Sequence, residues 1–170
     1  MGVILLRHTR PEVAEGTCYG RTDYPPAESF SEEAAEVLAA LPPVHRVLSS
    51  PLLRCTRLAD HIGAARDLPV EIDPRLIEID FGAWEGTPWA EVPRDGLDHW
   101  AAHFYDSRPH GGESVGMFYA RVVPFLDEMH GTGTVLAVTH AGLMRAALHH
   151  AGREGAWQMK FPYGSFIELP

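Results

Sequence analysis

A chain of 170 residues, 45% hydrophobic and 22% charged, can bury roughly two-thirds of its unfolded surface, which excludes a disordered chain or a scaffold that needs metals or disulfides to fold. Fourteen basic against twenty-three acidic residues give a net charge of −9, which excludes nucleic acid and anionic membranes as general partners. Cys18 and Cys55 form no disulfide framework, the apolar run before Arg7 is too short for a signal peptide, and no stretch approaches a membrane span; the expectation is one cytoplasmic domain over 1–170 with reduced thiols.

Val3–Leu6 is a continuous apolar run, the pattern of a strand covered on both faces, and it ends at Arg7-His8. A loop rich in Pro, Gly and Thr follows to about Ser29. Ser31, with Glu32 and Glu33 behind it, predicts the N-cap of a helix that Pro42-Pro43 stops. His45–Ser49 reads as a second strand, and Pro51 opens a helix through about Ala65. Val70–Ile72 is a short third strand. From Asp73 to Gly112 periodicity fails, and Trp84, Trp89, Trp100 and Phe104 suggest an irregular cap around 83–112 with one short helix near Asp98–Phe104. Glu113–Met129 reads as a helix that Pro124 kinks or interrupts. Thr134–Thr139 is again a buried strand, Ala141–His150 a helix, and Phe166–Leu169 a final edge strand.

Strands alternating with helices predict a three-layer α/β/α sandwich around a mostly parallel sheet. Ligands of such sheets bind outside the carboxyl ends of the strands. Those ends carry Arg7-His8, Ser49-Ser50 with Arg54 shortly after, and His140. Singly, each has a structural reading: a strand-end histidine is usually a hydrogen-bonded fixture, and Arg54 has Asp60 within reach. Together, converging cations in a protein of net charge −9 make an anion site.

Other phosphate and nucleophile signatures are missing. There is no Walker loop, no G-x-G-x-x-G after a strand and no G-x-S-x-G elbow. Six residues after the cysteines stand Tyr24 and His61, where a cysteine phosphatase has Arg. His99 and His103 lack a third ligand nearby and read as a solvated helix face, as do His149 and His150.

Four segments carry a resemblance. Leu6-Arg7-His8-Thr9, Ser49-Ser50-Pro51-Leu52-Leu53-Arg54-Cys55, Leu76 to Gly86 and Val138-Thr139-His140-Ala141-Gly142 occur in the order found in the histidine phosphatase (phosphoglycerate-mutase-like) superfamily. Within it, Arg7 to Pro11, Cys18-Tyr19-Gly20-Arg21-Thr22-Asp23 and Arg108 to Ser114 resemble most the α-ribazole-5′-phosphate phosphatases of cobalamin assembly. Ala141 stands where the acid-phosphatase branch has Asp.

The resemblance implies a phosphomonoesterase, metal-independent and without cofactor, acting on a small-molecule phosphate monoester such as α-ribazole 5′-phosphate. It makes His8 the nucleophile, with Arg7, Arg54 and His140 holding the phosphoryl oxygens and Glu78 as general acid. Thr9, Arg21, Glu113 and Ser114 are expected to line the substrate pocket, and aromatic residues of the cap to wall a benzimidazole. A sugar-phosphate or phosphoprotein phosphatase is the nearest alternative, and a non-catalytic phosphate-binding module the alternative of another class. A mutase fits less well, because the chain after the late helix is short and offers little lid against water. Oligomeric state is not legible.

Overall fold

The structure, a computed structural model, describes residues 2–131 and 133–170. Five strands form one sheet in the order β3-β2-β4-β1-β5: β1 (Val3–Arg7), β2 (Arg46–Ser49), β3 (Val70–Ile72), β4 (Val135–Thr139) and β5 (Phe166–Glu168). All pairings are parallel except β1 with β5. The helices are α1 (Phe30–Ala40), α2 (Leu53–Arg66), α3 (Arg94–Ala102), α4 (Val115–Met129) and α5 (Ala141–His150).

Alternate residues of the central strands enter two cores, and that is why these strands read as unbroken apolar runs. Ile4, Leu6, Val47, Leu136 and Val138 pack with Ala34 and Val37 of α1 and Cys55, Leu58 and Ile62 of α2. Val3, Leu5, Leu48 and Ala137 face the other way, onto Phe118, Val122 and Phe125 of α4 and Leu143 and Met144 of α5. The three layers are those predicted.

Local departures have physical causes. Ser31 lies inside α1; Ser29 occupies the N-cap position, and its hydroxyl donates to Glu33 Oε2 at 2.6 Å instead of bonding the helix backbone. Pro124 sits within an unbroken α4 rather than interrupting it. Between Asp73 and Gly112, three 3-10 turns (74–76, 82–84 and 89–91) precede α3, which starts four residues earlier than predicted. Here Trp84, Cys18 and Val92 form a minor core against Phe81, Trp89 and Trp100. No helix among the described residues is long and apolar enough to cross a membrane.

Candidate active site

Strand register brings the site together. Arg7 pairs with Thr139 in the β1–β4 ladder and Ser49 with Val138 in the β2–β4 ladder, so His8, His140 and Ser50 emerge side by side. The His8 amide donates to Thr139 O at 3.1 Å and the Ser50 amide to Val138 O at 2.9 Å. The rings of His8 and His140 meet edge-on with centroids 5.2 Å apart. α2 begins at Leu53 and carries Arg54, wholly buried, on its first turn.

His8 Nδ1 lies 2.7 Å from Thr9 O. A carbonyl only accepts, so Nδ1 carries the proton in the neutral ring and the Nε2 lone pair is free. Nε2 makes no hydrogen bond with the described residues, and His8 lines an open cleft of about 410 Å³. Burial holds the His8 pKa well below the ordinary histidine value, with Arg54 and Arg7 pushing the same way against the Thr9 carbonyl. His140 is lowered likewise, by burial first and then by Arg54 and His8; its Nε2 shares a 2.8 Å hydrogen bond with Ser50 Oγ.

The two arginines are held by backbone and aromatic faces, not by acids. Arg54 donates to Gly20 O at 2.6 Å and Thr22 O at 2.7 Å, and its guanidinium stands 5.1 Å from the Tyr19 ring centre. Arg7 donates to Phe161 O and lies 4.1 Å from the centre of Tyr163. Among the described residues no carboxylate is within ion-pair distance of either. Arg7 Nε, Arg54 Nε and Thr9 Oγ1 are buried with no hydrogen-bond partner among those residues. A buried guanidinium without a counter-charge costs several kcal/mol, and an anion entering here relieves that cost while satisfying the orphaned donors.

Glu78 reaches the cleft from the irregular segment. Its Oε1 accepts from the Ile79 amide at 3.0 Å and its Oε2 from the Gly142 amide at 3.1 Å, at the start of α5. A Cβ at Gly142 would collide with this carboxylate, so glycine is what lets Glu78 approach the helix. Arg121 fixes the stretch behind it, donating to Arg75 O and Glu78 O at 2.9 Å each.

None of the four expected pocket residues lines the cleft wall: Thr9 is buried beside His8, and Arg21, Glu113 and Ser114 have partners of their own. Glu113 accepts from Arg121 at 2.8 and 3.1 Å and from the Asp80 amide at 3.1 Å, and Arg21 pairs with it at 3.2 Å. Ser114 caps α4 by accepting from the Met117 amide at 3.1 Å. Glu113 therefore braces Arg121 and is also the ion-pair partner of Arg21. The Gly20–Asp23 stretch has scaffolding duties instead: Glu85 Oε1 accepts from Gly20 N and Thr22 N at 2.6 and 2.9 Å, and Asp23 Oδ1 accepts from the Leu53 amide at 2.7 Å, capping α2 where it carries Arg54.

Sequence reasoning missed the C-terminal wall and two cations, Arg10 and Arg145. The Gly164 amide donates to His8 O at 3.1 Å, the Arg7 amide donates to Ser165 O at 2.9 Å, and the Tyr163 ring lies 5.8 Å from that of His8. Tyr163 and Tyr19 share a 3.1 Å hydrogen bond across the mouth. Phe81, Trp89, Arg145 and the 10–17 stretch, with Arg10 and Glu15, also line the cleft. The four-residue spacing from Ala141, on a helix that opens at the site, was the signal for Arg145.

The buried neutral histidines tie stability to pH. Below about 6.5 the unfolded chain takes up protons on both rings that the folded protein refuses, so stability falls by about 1.4 kcal/mol per pH unit per ring. Urea unfolding at pH 7.0 and 5.5 should differ by roughly 2–3 kcal/mol, and His8→Asn combined with His140→Asn should flatten most of that slope. An unchanged slope in the double variant would place the proton uptake elsewhere.

Comparison with known proteins gives a consistent result. Residues 3–169 match the family model described as histidine phosphatase superfamily (branch 1). The chain is 34% identical to phosphoserine phosphatase 1 of Hydrogenobacter thermophilus over 85% of its own length and 72% of that protein's. It is 29% identical to the adenosylcobalamin/alpha-ribazole phosphatase of Salmonella typhimurium, over 85% and 76%. The crystal structure of phosphoglycerate mutase from Thermus thermophilus superposes with a TM-score of 0.81 at 32% identity, covering 99% of this chain and 92% of that one. The ribazole phosphatase likeness is thus one of several.

Proposed function

This chain belongs to the histidine phosphatase superfamily, branch 1, and on that premise we propose that it hydrolyses a small phosphate monoester through a phosphohistidine on His8. The carrying observation is the pair of acid-free guanidiniums, Arg54 buried and Arg7 half-buried, whose buried Nε atoms lack partners beside a histidine with a free Nε2. His8 Nε2 attacks phosphorus; the P–O bond to the leaving group breaks, and Glu78 protonates the departing alkoxide. Water, deprotonated by Glu78, then attacks the phosphohistidine and restores the ring. Arg7, Arg54 and His140 stabilise the charge spread over the equatorial oxygens, and Thr9 Oγ1 offers one more donor. This positive field comes from the chain itself, which supports turnover without an added metal.

For the substrate we put forward α-ribazole 5′-phosphate, supported by the motif likeness and by a cleft with aromatic sides at Tyr19, Phe81, Trp89 and Tyr163, suited to a flat heterocycle. A carboxylate-bearing monoester of the phosphoserine kind is the second reading, favoured by the Arg145 guanidinium in the same cleft. Phosphate release with EDTA present, from α-ribazole 5′-phosphate, phosphoserine, 3-phosphoglycerate and a sugar phosphate, separates them. The expected kcat/KM for the ribazole phosphate is at least ~10² above the rest. A lead for phosphoserine selects the second reading, and equal rates across the panel remove both substrate assignments but keep the chemistry. Phosphate binding with no turnover on any would make the chain a binding module.

A further inference from the structure

Two cations that line the cleft, Arg10 and Arg145, are left unused by the phosphate chemistry; Arg10 is exposed, whereas Arg145 is half-buried and held in place. It lies one helical turn after Gly142, whose amide holds Glu78, and so stands on the leaving-group side of the site. Its Nε donates to Met159 O at 2.7 Å, which fixes the plane of the guanidinium. Neither terminal nitrogen has a hydrogen-bond acceptor, and no carboxylate is within ion-pair distance, among the described residues. The side chain is half-buried and lines the cleft with Glu78 and Ala141. An arginine on a structural errand uses its fork; this one has its stem tied down and its fork free.

We propose that Arg145 selects the leaving group by donating its terminal N–H pair to an oxygen the leaving group carries close to the scissile ester. The fit is to bidentate or paired oxygen acceptors, and a rigid fork loses little freedom on binding them. Two sources share that chemistry: the hydroxyl and ring oxygens of a pentose, and the carboxylate of an amino-acid or glycerate monoester. The inference rests on the phosphohistidine reading and deepens it, since Arg7, Arg54 and His140 hold what every monoester has in common and Arg145 reads what differs.

The test is kcat and KM for wild type, Arg145→Ala and Arg145→Lys on α-ribazole 5′-phosphate, phosphoserine and methyl phosphate, whose leaving group has no further oxygen. Losing a charged donor pair should lower kcat/KM of Arg145→Ala by ~30- to 100-fold on the oxygen-rich substrate the enzyme prefers, chiefly through KM. The loss on methyl phosphate should be at least ~10-fold smaller, because that ester has nothing for the fork to bind. Arg145→Lys, which keeps the charge without the fork, should fall between and stands in if the alanine variant does not fold. Whichever of the two oxygen-rich substrates suffers the larger loss names the source. Equal losses on all three, methyl phosphate included, would overturn the assignment and make Arg145 part of the phosphate site or the scaffold. No loss on any would overturn it as well. Failure of the phosphohistidine reading looks different: wild type itself would show no turnover that depends on His8.

Discussion

His8→Ala should lose turnover by ~10⁴-fold or more on every monoester while still binding inorganic phosphate, because the substitution removes the attacking atom and leaves the guanidiniums in place. The geometry makes this a statement about one nitrogen. Nδ1 is committed to Thr9 O at 2.7 Å, so Nε2 alone is available to phosphorus. Rapid quenching of wild type with phosphorus-labelled substrate should trap acid-labile label on His8. A His8→Ala protein that keeps a tenth of wild-type kcat, or label on another residue, would end the phosphohistidine reading. The lowered pKa of His8, caused first by burial and then by Arg54, adds that the attacking form is already dominant at neutral pH. The acid limb of kcat/KM should therefore fall below the ordinary histidine value of about 6.5.

Glu78→Gln should divide substrates by their leaving groups. An alkoxide needs a proton as it departs, so an alkyl monoester should slow by ~10²–10³-fold. A nitrophenolate leaves without help, so His8 should still be phosphorylated quickly from an aryl phosphate. Hydrolysis of the phosphohistidine then stalls for want of a base. The expected trace is a burst of nitrophenol equal to the enzyme present, followed by slow turnover. Equal slowing on alkyl and aryl esters, with no burst, would remove Glu78 from the proton path. Gly142→Ala should copy part of this effect, since its Cβ would displace the Glu78 carboxyl from the α5 amide while the side chain has room to swing aside. Its kcat on alkyl esters should drop by ~10-fold or more with little change in unfolding midpoint.

The apolar runs of β1 and β4 and the chemistry placed at their carboxyl ends were legible in the sequence, because a strand covered on both faces must be apolar throughout and must turn polar where it leaves the core. His8, Arg54 and His140 were legible for the same reason, since a parallel sheet gathers its strand ends on one side, whatever the distance along the chain, whereas Glu78 was singled out only by the family resemblance of the segment around it. Register did the rest. The pairing of Arg7 with Thr139 sets the two histidine rings 5.2 Å apart, and no local pattern encodes that pairing.

Other features depended on tertiary structure alone. Glu113 and Arg21 carry charges as suited to a substrate as to each other, and only the folded chain, with Arg121 packed behind Glu78, shows them paired. Arg21 is expected from the sequence to line the pocket, and the stretch around it anchors Arg54 through the carbonyls of Gly20 and Thr22 while Asp23 caps α2. The closing wall at Phe161–Ser165 has no periodicity to reveal it, because its bonds to Arg7 and His8 span more than 150 positions of chain. Sequence by itself determined which side of the sheet gathers His8, His140 and Arg54. The tertiary structure decided which cations stay free of carboxylates, since whether a guanidinium is spent on a backbone carbonyl or left for a ligand depends on neighbours that only the fold brings near.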